Sequence, residues 1–326
     1  MAEWRDELRD RAGAAVSFDA SIGELTTYRV GGRAAALVRA ATLTDLRAVG
    51  AIVAAQSVPV AVVGRGSNLL VSDAGFDGIV VVLGEEFSWV GDARAATDDE
   101  VVVRVGAATP LPVVARRTVA LGLTGFEWAV GVPGTIGGAV RMNAGGHGSD
   151  MAASLIGVHV VDLATGEDWD MPSAELHLGF RRSALDATHL VVEAELALRF
   201  GDRDASEAEL AEIVRWRREH QPGGANAGSV FRNPPDDSCG RLLDASGAKG
   251  RRHGSAEVST KHANFILVDE GGRADDVAAL MVELRALVFE AQGVDLHAET
   301  HMLGFTPATA EACGAHLVAP GTGAVR

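Results

Sequence analysis

Three short segments in the second half of the chain carry side chains that could take part in catalysis. The first contains two adjacent arginines, Arg181 and Arg182, which follow Phe180 at the junction between a loop and a strand. Adjacent arginines are usually a solvated pair. A guanidinium at such a junction can, however, hold a planar carboxylate through two parallel hydrogen bonds. Arg181 is therefore a candidate for binding a carboxylate.

The second segment places a serine, Ser229, between a glycine and a valine. A serine in this setting is more often a turn residue than a catalytic one. No Gly-x-Ser-x-Gly motif surrounds it, so the sequence does not indicate a hydrolase nucleophile. The residues alone leave two interpretations open, a turn residue and a catalytic residue, and the first is the more common.

The third segment has a glutamate, Glu299, between His297 and His301. Two histidines four residues apart raise the question of a zinc site. In zinc metalloproteases, however, the glutamate directly follows the first histidine and the motif lies on a helix. Here the glutamate comes two residues after His297, and no helix is predicted. We therefore expect no metal site.

Two glycine-rich segments in the first half of the chain have the composition of cofactor-binding loops. Residues 64–70 follow a predicted strand at 60–63, and residues 129–148 are almost uncharged and contain seven glycines. Glycines let backbone N–H groups approach an anion closely. Leu69 stands where a Rossmann motif would have its third glycine, and no P-loop lysine follows. Each segment alone could be a turn or a linker, but the two together favour a large dinucleotide ligand.

These segments, with Thr26-Thr27-Tyr28-Arg29-Val30-Gly31-Gly32 before them, resemble the UDP-N-acetylenolpyruvoylglucosamine reductase (MurB) family over about residues 20 to 304. The resemblance implies an α+β FAD-binding domain of the vanillyl-alcohol-oxidase (PCMH) type, made of two α+β subdomains, and then a smaller α+β substrate-binding domain. The polar turn at residues 201–204 places a domain boundary near residue 200, so we expect an N-terminal helix at 1–20, the FAD-binding domain at 21–200 and the substrate-binding domain at 201–305. Residues 306–326 are expected to be a mobile tail because they are rich in Ala, Gly, Thr and Pro.

The resemblance also implies the functional residues. The expected catalytic residues are Arg181, Ser229 and Glu299. The expected contacts to non-covalently bound FAD are Gly64, Arg65, Gly66, Ser67, Asn68, Leu69, Gly131, Pro133, Gly134, Thr135, Ile136, Gly137 and Gly138. The expected substrate contacts are Asn233, Lys261 and His262.

The implied reaction has two stages. NADPH reduces FAD, and the flavin then delivers a hydride to C3 of the enolpyruvyl ether of UDP-N-acetylglucosamine. Arg181 stabilises the charge that spreads into the carboxylate, Glu299 assists if it is protonated or bridging, and Ser229 returns a proton to C2. The product would be UDP-N-acetylmuramate, a precursor of peptidoglycan.

Four positions depart from the family pattern. Phe180 replaces a tyrosine, Arg232 a lysine and Ala298 a proline, while His220 stands where several relatives have a lysine near the UDP phosphates. The short spacing between Arg181 and Ser229 indicates the branch that lacks an extra substrate-clamping loop. Two alternatives stay open. One is a flavin-dependent oxidase that attaches FAD through His147, and the other is an FAD-binding relative with little turnover.

The elements that must position these residues follow from hydrophobic periodicity. Helices are predicted over 2–13, 42–56, 112–121 and 274–291, and strands over 60–63, 79–83, 101–105, 156–160, 190–198 and 264–268. A further helix is predicted to end near residue 219 and to begin with a capping box formed by Ser206 and Glu209.

Composition indicates which classes of partner and which cellular compartment to expect. The formal net charge is −15 and no basic patch is evident in the sequence, so we expect no nucleic-acid partner. No apolar run approaches the roughly 18 residues of a membrane span, and the N-terminus lacks a signal-peptide core. The two cysteines, Cys239 and Cys313, fit a reducing cytoplasm. We expect a monomer that acts on a small UDP-sugar.

Overall fold

Eight α-helices and seventeen strands lie in the part of the chain that the computed structural model describes, residues 3–97, 99–315 and 317–318. The helices are α1 (Glu3–Ala12), α2 (Leu43–Gln56), α3 (Leu111–Ala120), α4 (Ile136–Met142), α5 (Arg203–His220), α6 (Cys239–Ala245), α7 (Ala274–Gln292) and α8 (Pro307–Ala312). The strands are β1 (Val16–Ser21), β2 (Arg33–Ala40), β3 (Val60–Val62), β4 (Leu69–Val71), β5 (Phe76–Leu83), β6 (Arg94–Ala95), β7 (Glu100–Gly106), β8 (Leu123–Thr124), β9 (Gly145–Gly146), β10 (Ser149–Asp150), β11 (Leu155–Asp162), β12 (Asp168–Pro172), β13 (His189–Phe200), β14 (Arg252–His253), β15 (Ala256–Val258), β16 (Ile266–Val268) and β17 (His301–Leu303).

The first sheet is mixed and has the strand order β1-β2-β5-β3. Its strands β2, β5 and β3 run parallel, and β1 is antiparallel to β2. The connection from β2 to β3 is α2, which begins with a capping box between Thr42 and Asp45. Leu46, Val49 and Val53 of α2 are fully buried, as their helical spacing predicts.

The second sheet is antiparallel and larger, with the order β12-β11-β13-β7-β6, and β8 also pairs with β13. In the long central strand β13, buried and less buried residues alternate from Val192 to Leu198. Helices α3 and α4 contribute most of their buried apolar residues to the same core as this sheet, and α5 adds Ile213. Residues that the sequence marked as buried runs therefore form the centre of this half of the molecule.

The C-terminal part has a three-stranded antiparallel sheet, β14-β15-β16, and the long helix α7. Val277, Leu280, Met281 and Leu284 of α7 are buried, and Gly293 ends the helix in the left-handed conformation. Their core also takes in three residues from the N-terminal half of the chain, namely Tyr28, Val30 and Leu70.

A two-stranded parallel pair, β4 with β17, joins the two ends of the chain. Leu69, at the end of the first glycine-rich segment, lies opposite His301 in this pair. The observed mixture of helices and sheets is the predicted α+β class. Within the described ranges, no helix combines the length and the apolar character that a membrane span requires.

Two local predictions are wrong. Helix α5 starts at Arg203, because Asp202 accepts hydrogen bonds from the N–H groups of Asp204 and Ala205 and so caps the helix. The Ser206 hydroxyl donates instead to the buried carboxylate of Glu127, at 2.6 Å. The second error concerns the predicted mobile tail.

The tail was predicted over residues 306–326, and its described residues 306–315 are folded. Thr306 caps α8, and Leu317 bridges to Met302 beside β17. The predicted tail also contains residue 316 and residues 319–326, which lie outside the described residues.

Candidate functional site

One large cavity of about 1300 Å³ is lined by all three predicted catalytic residues, Arg181, Ser229 and Glu299. Most of the predicted FAD contacts line it too, namely Gly64, Arg65, Gly66, Ser67, Asn68, Leu69, Pro133, Gly134, Thr135, Gly137 and Gly138. The cavity lies where the two large sheets meet the C-terminal part. The catalytic residues stay a prediction, but the fold places their side chains against one shared space.

The two glycine-rich segments form adjoining walls of this cavity. The Ser67 hydroxyl donates to the Pro133 carbonyl at 2.7 Å. A Cβ atom on Gly64 would lie 2.8 Å from the Thr135 hydroxyl oxygen, so a larger residue at position 64 would push the walls apart. The close approach of the Thr135 side chain to the Gly64 backbone explains why a glycine suits this position.

Two predicted FAD contacts lie behind this wall. The Ile136 side chain is fully buried in the core of the second sheet, and its backbone N–H donates to the Thr109 carbonyl. Gly131 is also buried, and a Cβ atom there would meet Ile213 and Arg217. Neither residue lines the cavity, so both support the wall from behind.

Arg181 and Glu299 form an ion pair inside the cavity. The Arg181 Nε donates to Glu299 Oε1 at 2.6 Å, and Arg181 Nη2 donates to the Gly145 carbonyl at 3.3 Å. The guanidinium also lies 5.3 Å from the centre of the exposed Phe180 ring. These contacts fix the plane of the guanidinium, which is the condition for a bidentate grip on a carboxylate.

A tight turn holds Arg181 in place. The Gly179 and Arg182 backbones pair across the turn, and Arg181 has a left-handed φ of +55°, which is rare for a side-chain-bearing residue. Buried Asn143 donates its side-chain N–H to the Gly179 carbonyl at 3.2 Å. Ser183, two residues after Arg181, donates its hydroxyl to the Arg141 carbonyl at 2.8 Å. Sequence reasoning missed Asn143, although it lies within the second glycine-rich segment.

Glu299 and Ser229 lie on two paired backbone segments. The Glu299 N–H donates to the Val230 carbonyl at 2.7 Å, and Phe231 bridges to Ala298. Asn68 of the first glycine-rich segment donates its side-chain N–H to the Glu299 carbonyl at 3.1 Å. The pairing of β4 with β17 therefore brings Glu299 to the predicted FAD loop.

A second buried amide holds the Ser229 segment. Asn264 accepts from the Phe231 N–H at 3.0 Å and donates to the Phe231 carbonyl at 2.8 Å. The Ser229 hydroxyl lines the cavity and has no hydrogen-bond partner among residues 3–97, 99–315 and 317–318. Its proton can therefore be directed towards a ligand.

The three predicted substrate contacts do not line the cavity. Asn233 accepts from the Cys239 N–H at the start of α6, and Lys261 donates to the Arg218 carbonyl. His262 packs edge-on against Phe265, and burial, together with the nearby charge of Lys249, lowers the pKa of His262. A role of these residues in binding substrate stays a prediction.

The cavity is strongly cationic in a chain that is acidic as a whole. Its described lining contains six arginines, Arg65, Arg141, Arg181, Arg182, Arg217 and Arg232, but only two carboxylates, Asp186 and Glu299. The arginines are scattered along the sequence, so no basic patch was visible before folding. Such a lining attracts polyanions such as dinucleotides.

These observations test whether FAD fits the cavity. Its volume exceeds that of an ordinary small-molecule pocket, which runs to about 1,000 Å³. Glycine backbone lines one side, and the arginines offer counter-charges for a pyrophosphate. The residues present therefore fit a bound FAD with a second ligand beside it. In the described part of the chain, no group of three metal-ligating side chains is arranged to hold a metal ion.

Two protein families match the chain. Residues 34–171 match a family described as "FAD binding domain", and residues 220–303 match one described as "UDP-N-acetylenolpyruvoylglucosamine reductase, C-terminal domain". The matches confirm the FAD-binding fold. The exact domain boundaries stay a prediction.

Individual relatives match over almost the full length. The UDP-N-acetylenolpyruvoylglucosamine reductase of Paramagnetospirillum magneticum is 41% identical over 304 residues, which cover 93% of this chain and 96% of the relative. That of a Synechococcus species is 39% identical and covers 88% of this chain and 93% of the relative. The crystal structure of UDP-N-acetylenolpyruvylglucosamine reductase (MurB) from Thermus caldophilus is 34% identical, with a TM-score of 0.74, and covers 88% of this chain and 97% of that one.

Proposed function

Because the chain belongs to the UDP-N-acetylenolpyruvoylglucosamine reductase family, we propose that it reduces UDP-N-acetylenolpyruvoylglucosamine to UDP-N-acetylmuramate. It is an FAD-containing oxidoreductase of peptidoglycan precursor synthesis, with NADPH as the reductant. The observation that carries the proposal is that Arg181, Ser229 and Glu299 line the same cavity as both glycine-rich segments.

Bound FAD would supply the hydride, taken from NADPH, that reaches C3 of the substrate. The loop at 64–69 and residues 133–135, 137 and 138 would hold it, since these glycine-rich backbones line the cavity. Addition of hydride to C3 leaves negative charge at C2 and in the adjoining carboxylate. The protein must stabilise that charge and then protonate C2.

Arg181 is suited to the first task. Its guanidinium is already oriented by Glu299 and by the Gly145 carbonyl, so little reorganisation is needed when charge develops. Glu299 would share a hydrogen bond with the substrate carboxylate only if it is protonated or bridged, because two adjacent carboxylates repel. Its present partner, Arg181, supplies such a bridge.

Ser229 is suited to the second task. Its hydroxyl lines the cavity and has no hydrogen-bond partner in the described residues. A serine hydroxyl is a weak acid, but a carbanion at C2 is basic enough to take its proton when the two are aligned.

The compartment and the assembly are further expectations. Cys239 and Cys313 are free and buried, which fits a reducing cytoplasm. We expect a monomer, which the mass of the purified protein in solution would check.

One experiment tests the function. The purified protein should be yellow, bleach with NADPH in the absence of oxygen, and recolour when the enolpyruvyl substrate is added. Bleaching without recolouring would instead indicate a relative that binds FAD but does not turn over. Acid precipitation should release the flavin, whereas flavin that stays with the pellet would indicate covalent attachment, as in the oxidase alternative at His147.

A further inference from the structure

The turn that follows β4 carries a carboxylate, Asp73, that binds a helix far along the chain. One oxygen of Asp73 accepts a hydrogen bond from the Ala274 N–H and the other from the Asp275 N–H, each at 3.1 Å. These are the first two residues of α7. Asp73 lies within the match to the FAD-binding family, and α7 lies within the match to the reductase C-terminal domain. One side chain therefore bonds these two parts of the molecule to each other.

The start of α7 has no cap of its own. The residue before the helix is Arg273, and its side chain makes no capping hydrogen bond. The first N–H groups of a helix lack partners within the helix, and a Ser, Thr, Asp or Asn before it usually satisfies one of them. Asp73 supplies the missing acceptors, and its negative charge suits the positive end of the helix dipole.

The backbone next to Asp73 is held at the end of β17. The Ser72 N–H donates to the Leu303 carbonyl at 2.9 Å. A Cβ atom on Gly304, directly after β17, would collide with the Gly75 carbonyl, so the turn at 72–75 packs closely against this glycine. The predicted FAD loop at 64–69, β4 and this turn form one continuous segment, which lines the cavity at one end and caps α7 at the other.

Helix α7 belongs to the hydrophobic core that supports two predicted catalytic residues. Val230 and Ala298 lie in this core together with the buried residues of α7. Val230 directly follows Ser229, and Ala298 directly precedes Glu299. Because closely packed interiors transmit strain, a shift of α7 would reach both catalytic side chains.

We propose that Asp73 is a positioning residue, which caps α7 and thereby fixes Ser229 and Glu299 relative to the predicted FAD loop. The inference rests on the proposed function, which assigns these two residues to the reduction of the enolpyruvyl substrate. Asp73 is not part of the described lining of the cavity, so it acts through α7 and not by contact with a ligand. A cap that served stability alone would lower the unfolding temperature and leave the rates of the flavin-loaded protein unchanged.

Two measurements on the flavin-loaded protein test this role. By hydrogen exchange and mass spectrometry, Asp73→Ala should speed exchange in the first turn of α7 about fivefold, the effect of a typical lost cap. By stopped-flow absorbance, the same variant should slow reoxidation of the flavin by the enolpyruvyl substrate at least about tenfold, because misplaced reacting groups lose rate steeply. Reduction by NADPH should stay near the wild-type rate, since it uses neither Ser229 nor Glu299.

Asp73→Asn gives a graded comparison. An asparagine keeps one acceptor oxygen but has an NH₂ group in place of the other, so it can replace only one of the two hydrogen bonds. Its exchange and reoxidation rates should both lie between those of the wild type and those of Asp73→Ala. This variant carries the test if the alanine variant does not fold.

Thr42→Ala is the matched control for the loss of a cap. The Thr42 hydroxyl accepts from the Asp45 N–H at 3.2 Å and so caps α2, whose buried apolar residues belong to a different core from those of α7. Its unfolding temperature should fall about as much as that of Asp73→Ala. Exchange in α7 and both half-reactions should stay at their wild-type values.

Four results would overturn the proposal. The first is unchanged exchange of α7 in Asp73→Ala, and the second is faster exchange with wild-type rates in both half-reactions, which would make Asp73 a structural cap only. The third is equal slowing of both half-reactions, or similar slowing in Thr42→Ala, which would indicate a general loss of stability. The fourth is a wild-type holoenzyme whose reduced flavin is not reoxidised by the enolpyruvyl substrate, and only this result would refute the proposed function as well.

Discussion

Arg181 is the residue at which backbone strain and chemistry coincide. Its φ of +55° costs free energy that a glycine would avoid, yet the position needs a side chain to form the pair with Glu299. The turn is held by Asn143 and by backbone pairing between Gly179 and Arg182. The strained backbone lowers the stability of the fold, but the turn fixes the orientation of the Arg181 guanidinium, as expected where orientation matters for function.

Arg181→Lys tests that orientation. The charge survives, but a lysine lacks the planar fork that holds a carboxylate through two hydrogen bonds. We expect reduction of the flavin by NADPH to continue and turnover of the enolpyruvyl substrate to fall at least about tenfold. Steady-state rates with both substrates measure this. Equal rates in the variant and the wild type would show that planarity is not used.

Glu299 can be probed with an uncharged isostere. Glu299→Gln keeps a hydrogen-bonding group beside Arg181, whereas Glu299→Ala removes it. If the residue acts by hydrogen bonding, the glutamine variant should retain more activity, and the alanine variant should lose about 10²–10³ in turnover. The comparison needs flavin content and thermal unfolding of both variants as controls. Greater activity in the alanine variant would contradict the assigned role.

Ser229→Ala separates the two half-reactions. The serine is expected to supply a proton only when the enolpyruvyl substrate is reduced, so flavin reduction by NADPH serves as the internal control. Stopped-flow absorbance should show a normal first half-reaction and a second one slowed by about 10²–10⁴. Equal damage to both halves would refute the proton-donor role.

The sequence predicted the three residues that the fold brings to one cavity, because each lies in a short local motif. It did not predict the cationic lining. Arg141, Arg217 and Arg232 come from separate elements, and only tertiary structure gathers them. The role of Asn143 was missed for a related reason, since the Gly179 carbonyl to which it donates is distant in sequence.

At the scale of elements, periodicity predicted the larger helices and strands because their buried residues recur at fixed spacing. The C-terminal helix α8 has only six residues and is composed of small and polar side chains, so its sequence offers no such pattern. Contacts with other elements of the fold therefore stabilise α8. Arg285 of α7 donates to the carbonyls of Leu296, Glu311 and Ala312 and so ties α8 to the irregular segment that precedes Glu299.

Ala298→Pro tests how α8 is held against the segment that precedes Glu299. The Ala298 N–H donates to the Gly314 carbonyl at 2.9 Å, and a proline, the residue usual in the family, cannot make this bond. We expect the protein to fold and the amides of α8 to exchange hydrogen faster, because the lost hydrogen bond contributes about 1 kcal/mol to the stability of this region.

Ala298→Gly is the matched control because it keeps the N–H group. Hydrogen exchange followed by mass spectrometry would compare the two variants. Unchanged exchange of α8 in the proline variant would show that the helix is held by other contacts alone.

At the scale of the molecule, the cavity lies at the meeting point of separate hydrophobic cores. FAD bound there would contact elements from both large sheets and the C-terminal part. Because a ligand that binds only the folded state stabilises it, FAD at 100 times its dissociation constant should add about 2.7 kcal/mol to the free energy of unfolding.

Gly138→Leu would remove this effect. A Cβ atom on Gly138 would have only the Thr135 hydroxyl oxygen within 4 Å, at 3.7 Å, and the residue lines the cavity, so a leucine would extend into the space for FAD. The purified variant should be colourless, and added FAD should not raise its unfolding temperature. Gly223→Leu, at a glycine with no neighbour within 4 Å, is the control and should stay yellow. Full flavin content in the Gly138→Leu variant would refute the proposal that this wall of the cavity contacts FAD.

The pairing of β4 with β17 has a consequence for how the protein is made. Asn68 and Glu299, which are hydrogen-bonded beside this pair, are 231 residues apart. At the usual speed of a ribosome, roughly 5–20 residues per second, β4 is synthesised some tens of seconds before its partner strand. During that interval the edge of β4 is unpaired and the flavin loop lacks its Glu299 contact. A nascent chain should therefore gain its flavin late in translation, and chaperones that shield exposed strand edges should favour its yield.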